Sequence, residues 1–191
     1  RTVFIEVPRK NGKSTLCAAI GLYMLYADEE RGSEVYSAAG DRSQAGIVFE
    51  IAKGMMQQNA ELSSRGKAYR NSIVNESKGN FYQAISSDSK TKHGFNANCI
   101  IFDELHTQPN RDLWDTLTTS TGSRRQPLTI AITTAGYDKQ SICYEIYTYA
   151  KKVLEGTIKD ESFYSVIYES DNDDDITLES TWKKANPNYG I

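Results

Sequence analysis

The sequence has 191 residues, 39% hydrophobic and 25% charged, the balance of a soluble globular chain with apolar material for one sizeable core. Twenty-two Lys and Arg against 25 Asp and Glu give a formal charge of −3, which excludes a histone-like or otherwise strongly basic binder and leaves room only for a local basic patch. No apolar run approaches the roughly 20 residues that span a bilayer, and no signal peptide is visible. Cys17, Cys99 and Cys143 lie far apart with no CxxC pair; they read as reduced core thiols of an intracellular protein, not as a zinc site. The chain opens at Arg1 inside a strand-like run with no Met, as an excised fragment would.

Apolar runs alternate with helical patterns along the chain, which predicts an α/β fold. Val3–Val7 is a β-branched strand, broken by Pro8 to Gly12. Ser14–Tyr26 carries Leu16, Ala19, Ile20, Tyr23 and Met24 at helical spacing. Glu34–Ala39 is a second strand. Asp41 caps a helix over Ser43–Gln58 with Ile47, Ile51 and Met55 on one face. Residues 60–97 are polar and less regular, with a hairpin from Ser72–Asn75 and Asn80–Ile85 and a loop over Ser86–His93. Asn98–Phe102 is a buried strand, Asn110–Thr119 a helix, Leu128–Thr133 a buried strand. Ser141–Leu154 is helical, Phe163–Tyr168 a strand, Asp171–Asp175 a solvated acidic loop, and Leu178–Ala185 a last helix stopped before Pro187.

The strongest local signal is Val7-Pro-Arg-Lys-Asn-Gly-Lys-Ser-Thr15. A strand ends, a tight loop follows, and Gly-Lys-Ser opens a helix, whose amino end carries free N–H groups and partial positive charge and so favours an anion. Lys13 can reach the outer phosphates of a nucleotide, Ser14 can ligate Mg²⁺, and Gly12 lets the backbone approach. The first glycine usual for such a loop is Val7 here. A basic turn capping a helix is the competing reading; the flanking strand and amphipathic helix favour the phosphate loop.

Cys99-Ile-Ile-Phe-Asp-Glu104 delivers two adjacent carboxylates from the end of a buried strand, about 90 residues downstream of that loop, where α/β sheets place their ligands. Asp103 would hold Mg²⁺, and Glu104 could polarise an attacking water. The strand Leu128–Thr133 ends in Thr133-Thr134-Ala135-Gly136, two hydroxyls able to sense a γ-phosphate and pass on its loss. Asp103-Glu-Leu-His106 also spells a DExH box, so one lobe of a nucleic-acid helicase is an alternative, although such enzymes use two tandem lobes. A non-enzymatic nucleotide-binding module is another. His93 and His106 are too few for a zinc site, and His106 reads as a local hydrogen-bonder.

Val7–Thr15, Asp41-Arg-Ser-Gln-Ala45, Gly94–His106, Thr133-Thr-Ala-Gly136 and Trp182-Lys-Lys-Ala-Asn-Pro187 together resemble the large terminase subunit of tailed bacteriophages. The stretches fall in family order over nearly the whole chain, and a glycine-poor phosphate loop is normal in that family. The resemblance implies a single ATPase domain over residues 1–191 with a P-loop NTPase fold (RecA-like, ASCE), three α-β-α layers around a mostly parallel sheet, and the Leu128–Thr133 strand between the Val3–Val7 and Cys99–Phe102 strands. It implies that an upstream adenine-binding segment and a downstream nuclease domain lie outside this chain. It further implies an ATP-hydrolysing motor, working with Mg²⁺, that packages double-stranded DNA into a procapsid in the host cytoplasm. That motor would act as a ring on the portal protein, with a small terminase subunit choosing the DNA; the isolated fragment would be a weakly active monomer with no membrane partner. Carried over to this chain, Arg9, Lys10, Asn11, Gly12, Lys13, Ser14 and Thr15 bind phosphate, Ser14 and Asp103 hold Mg²⁺, Glu104 activates water, and Thr133 and Thr134 couple hydrolysis to movement. Arg124 and Arg125, in a Gly-Ser-Arg-Arg loop, are candidates for a finger reaching a neighbour's ATP; a solvated basic turn is the other reading of that loop.

Overall fold

The computed structural model describes residues 1–87 and 94–190, without the side chain of Arg42. The expected loop over Ser86–His93, from residue 88 on, and His93 with it, lie outside the described residues. Strand β1 (Thr2–Glu6) runs into the loop at Pro8, which has no N–H to continue a ladder, and helix α1 (Lys13–Tyr26) follows. Strand β2 (Glu34–Ala39) leads to helix α2 (Arg42–Gln58), whose first N–H groups at Ser43 and Gln44 donate to the Asp41 carboxylate at 2.7 and 3.1 Å. Asn59 caps the short helix α3 (Ala60–Arg65), and β3 (Lys67–Ala68) follows. The expected hairpin is present as β4 (Ser72–Asn75) and β5 (Asn80–Ser86), paired antiparallel. Then come β6 (Ala97–Asp103), a 3₁₀ turn (Leu105–Thr107), α4 (Asp112–Thr119), β7 (Leu128–Thr133), α5 (Ile142–Leu154), β8 (Phe163–Ile167) and α6 (Glu179–Ala185).

The strands form one sheet in the order β3-β4-β5-β2-β6-β7-β1-β8. All pairings from β5 to β8 are parallel, and only the β3-β4-β5 edge is antiparallel. Strand β7 lies between β6 and β1, as the resemblance implies. Because side chains alternate along a strand, the sheet separates two apolar cores. Cys99, Ile101, Ile130 and Ile132 face α1 and α2, whereas Phe4, Ile100, Phe102 and Ala131 face α4 and α5.

Two helix faces differ from expectation. In α1 the buried set is Lys13, Cys17, Ala18, Gly21, Leu22, Met24, Leu25 and Tyr26, so Met24 is inward as expected, while Leu16 and Tyr23 are 51% and 59% exposed. In α2 it is Ala45, Val48, Phe49, Ala52 and Met56, one residue round from the predicted face, and Ile47 is 42% exposed. Both helices carry apolar residues around most of their circumference, so large residues do not mark the inward side. On the inward side, Ala18, Ala45 and Ala52 let the helices approach the sheet and each other.

Among the described residues, no helix is long and apolar enough to cross a membrane. The three cysteines are free and buried, and burial pushes the Cys17 thiol up to about 12 and that of Cys143 to about 11, which makes them inert packing groups. The acidic loop is pinned by Lys184, whose ammonium lies 2.6 Å from carboxylates of both Asp171 and Asp174.

Candidate active site

Residues 7–12 turn from the carboxyl end of β1 into the amino end of α1. Lys10 and Gly12 both take left-handed backbone, with φ of 65° and 74°, which curls the loop around the helix axis where the first N–H groups of α1 are unpaired. Lys13 is buried, and its ammonium donates to the carbonyls of Val7 and Pro8, each at 3.1 Å. Two of its three donors thus brace the loop, and one remains for an anion in the cradle. The Asn11 amide donates to the Pro8 and Arg9 carbonyls, each at 3.2 Å, and to Asn186 Oδ1 at 3.5 Å; its oxygen accepts from the Asn188 N–H at 3.1 Å. Arg9, Lys10 and Thr15 are exposed at the rim.

Asp103 ends β6 facing this loop, and Ser14 Oγ donates to its Oδ2 at 3.5 Å. The carboxyl is 2% exposed, and burial, followed by the charge of Glu104, pushes it up to about 6. A hydroxyl and a buried carboxylate drawn together, with the carboxylate short of positive charge, are a donor set suited to Mg²⁺. Glu104 follows in a left-handed conformation (φ 49°, ψ 54°), which costs a non-glycine residue about 1–3 kcal/mol and persists only where its surroundings enforce it. Its Oε2 lies 3.3 Å from His106 Nδ1 and accepts from Thr134 Oγ1 at 3.4 Å. Thr133, buried at the end of β7, lies 2.8 Å from the same imidazole nitrogen and donates to the Thr134 carbonyl at 2.8 Å.

Beside these groups a cavity of about 700 Å³ is lined by Pro8, Arg9, His106, Thr134, Tyr137 and Tyr168 among others, within the size range of small-molecule sites. A second cavity, of about 390 Å³, shares Glu6, Ala135 and Glu169 with it. Sequence reasoning missed Glu6. Strand alternation could have found it, because Glu6 shares the inward face of β1 with Phe4. Its carboxyl is 6% exposed and makes no hydrogen bond among the described residues. Burial and the nearby charge of Glu169 push it up to about 7, with Lys151 pulling the other way. Between its ordinary 4.5 and about 7, the folded state binds more protons than the unfolded one, so Glu6 takes stability away as pH rises through that window. Glu6→Gln is therefore expected to stabilise the protein at pH 8 by roughly 1–3 kcal/mol and leave it unchanged near pH 4. Urea unfolding at several pH values checks this; an equal effect at both ends would exclude the titration.

The structure does not bring Arg124 and Arg125 to this chain's own phosphate loop. They precede β7, at the opposite end of the parallel sheet from the loop that follows β1. Arg124 also departs from its expected role as a finger. Its side chain is 6% exposed, and its guanidinium donates to the carbonyls of Asn96 (2.6 and 2.8 Å), Gly32 (2.6 Å) and Arg31 (3.4 Å), with Glu30 at 3.6 Å. Four hydrogen bonds from one rigid fork, with the Glu30 ion pair beside them, tie the segments that enter β2 and β6 to the turn before β7. Arg124→Ala is expected to cost about 2 kcal/mol, read as a lower urea midpoint at constant slope. Arg125→Ala, at an exposed position, should stay within about 0.5 kcal/mol of wild type.

A strand–loop–helix phosphate cradle, strand β6 ending in Asp103 with Glu104 directly after it, and a third strand β7 between them define a P-loop ATPase of the RecA-like (ASCE) kind. Within that class, the chain belongs to the family described as terminase large subunit, ATPase domain, whose model matches residues 1–152. It is 32% identical to the terminase large subunit of Enterobacteria phage HK97, over 97% of this chain and 37% of that protein. Protein YmfN of Escherichia coli K12 is 38% identical over 51% of this chain and 22% of its own length. The crystal structure of the HK97 large terminase superposes with a TM-score of 0.87 at 28% identity, covering 99% of this chain and 40% of that one. The ATPase domain of the Thermus phage P74-26 large terminase shares the fold, with a TM-score of 0.67 at 16% identity over 86% of this chain and 74% of that one. The chain thus spans under two fifths of the HK97 protein's length, and a helicase lobe is not the reading these relatives favour.

Proposed function

We propose that the protein carrying this domain hydrolyses ATP to drive double-stranded DNA into a bacteriophage procapsid. The observation that supports this most is the convergence of Glu104, Thr133 and Thr134 at the carboxyl ends of neighbouring strands, facing the loop that carries Lys13. In this reading Lys13 and the loop's N–H groups hold the β- and γ-phosphates, with Arg9, Lys10, Asn11 and Thr15 around them. Ser14 and Asp103 would hold Mg²⁺, which when bound would offset phosphate charge. Glu104 takes a proton from the attacking water as its oxygen bonds to the γ-phosphorus and the bond to the bridging oxygen breaks. Thr133 and Thr134 sit where the loss of that phosphate is felt. Arg125 is the arginine of the pair left free to reach a neighbouring subunit in a ring. The portal protein, a small terminase subunit, a nuclease domain elsewhere in the polypeptide and action in the host cytoplasm complete the assignment, all resting on the family.

The test is a packaging assay with purified procapsids, in which DNA becomes nuclease-resistant. The expected result is protection that needs ATP and Mg²⁺ and is lost with a non-hydrolysable analogue. Full protection with the analogue would overturn the assignment.

A further inference from the structure

The turn Leu105–Thr107 is wedged between two loops. A Cβ on Gly136, after β7, would lie 2.9 Å from the His106 Cβ, and one on Gly40, after β2, would lie 2.5 Å from the Thr107 carbonyl oxygen. Neither glycine tolerates a side chain without moving the turn, so His106 is fixed relative to the ends of both strands.

Its protonation pattern follows from its neighbours. Thr133 Oγ1 lies 2.8 Å from the Thr134 carbonyl, to which its hydroxyl can donate, and it accepts from the His106 backbone N–H at 3.4 Å. With the hydroxyl hydrogen on the Thr134 carbonyl, the short contact between Thr133 Oγ1 and His106 Nδ1, 2.8 Å, takes its hydrogen from the ring, as the Nδ1–H tautomer. The same N–H lies 3.3 Å from Glu104 Oε2, the oxygen that also accepts from Thr134 Oγ1. One carboxylate oxygen thus accepts from Thr134 and faces the imidazole nitrogen, both on fixed elements, and no hydrogen bond within the described chain engages the other.

We propose that His106 is a positioning residue for Glu104: its Nδ1–H, anchored on Thr133, holds Oε2 so that Oε1 presents to the attacking water, and it ties the orientation of Glu104 to β7. The inference rests on Glu104 being the general base. It requires a donor at the Nδ1 position, and the Nε2 position is immaterial to it. Asparagine places an amide N–H near Nδ1; glutamine places one near Nε2; phenylalanine keeps the ring shape with neither.

The three variants and Glu104→Gln are made in the intact polypeptide, and steady-state turnover is measured beside the affinity for ATPγS with Mg²⁺. For His106→Phe, kcat is expected to fall on the order of 10–100-fold, the usual cost of a misplaced reacting group, with ATPγS affinity unchanged. His106→Asn should restore kcat to within about threefold of wild type, and His106→Gln should resemble His106→Phe. A purely structural histidine would move affinity and thermal stability together and would not rank Asn above Gln. Wild-type turnover in His106→Phe, or equal rescue by Asn and Gln, overturns the inference. Should His106→Phe not fold, the Asn and Gln pair still decides. Undiminished turnover in Glu104→Gln would instead remove the base assignment itself, an outcome distinct from the failure of His106.

Discussion

Lys13→Ala is expected to weaken Mg-ATP binding by about 10²–10³-fold, which corresponds to about 3–4 kcal/mol. Two losses add. A charge-assisted hydrogen bond to phosphate contributes about 1.5–3 kcal/mol. In addition, the Val7 and Pro8 carbonyls lose the donor that braces them, so the loop must be reordered when a phosphate enters. Lys13→Arg should not restore affinity, because a planar fork cannot replace a compact ammonium that is 8% exposed between two carbonyls. Calorimetric titration with ATPγS measures this directly; an affinity within about threefold of wild type would remove Lys13 from the phosphate site.

Glu104→Gln is expected to separate binding from chemistry. The amide has the shape of the carboxylate and can keep the contact with Thr134, but it cannot accept a proton from water. Turnover should fall by about 10²–10⁴-fold, the usual contribution of a positioned general base. Affinity should hold, because none of the hydrogen bonds around Lys13 and the loop involves Glu104. Folding stability should hold as well, since glutamine adopts the left-handed backbone at the same cost as glutamate. Phosphate release under single-turnover conditions is the decisive measurement, and a normal rate would mean that water is activated elsewhere.

Much of this arrangement was readable in the linear sequence. Strands β2 and β7 fall on Glu34–Ala39 and Leu128–Thr133 as expected, because short β-branched or small-residue runs bounded by Gly, Pro and polar residues have few other solutions. Asp103 and Glu104 were visible because one strand end carries both. The weak pairing of β3 and the six-residue α3 was not, since the polar stretch around them has little periodicity. Arg124 could be misassigned because its partners are carbonyls contributed by residues 31, 32 and 96, and a backbone oxygen leaves no signature in a sequence. The contact of His106 with Thr133 is hidden for a similar reason: 27 positions separate them, and only the adjacency of β6 and β7 brings them together.

The Asn11 side chain has a mechanical meaning. It is stitched to the loop through Pro8 and Arg9, and through its two ends to Asn186 and Asn188, so the last described residues and the phosphate loop share one fastening. A load drawn through residues 186–190 is then a load on the loop that grips phosphate. Thermodynamic reciprocity requires the reverse as well: whatever free energy a bound phosphate adds to that fastening must be supplied again to peel the segment away. Through such a stitch, tension on the segment and occupancy of the loop are two sides of one coupling.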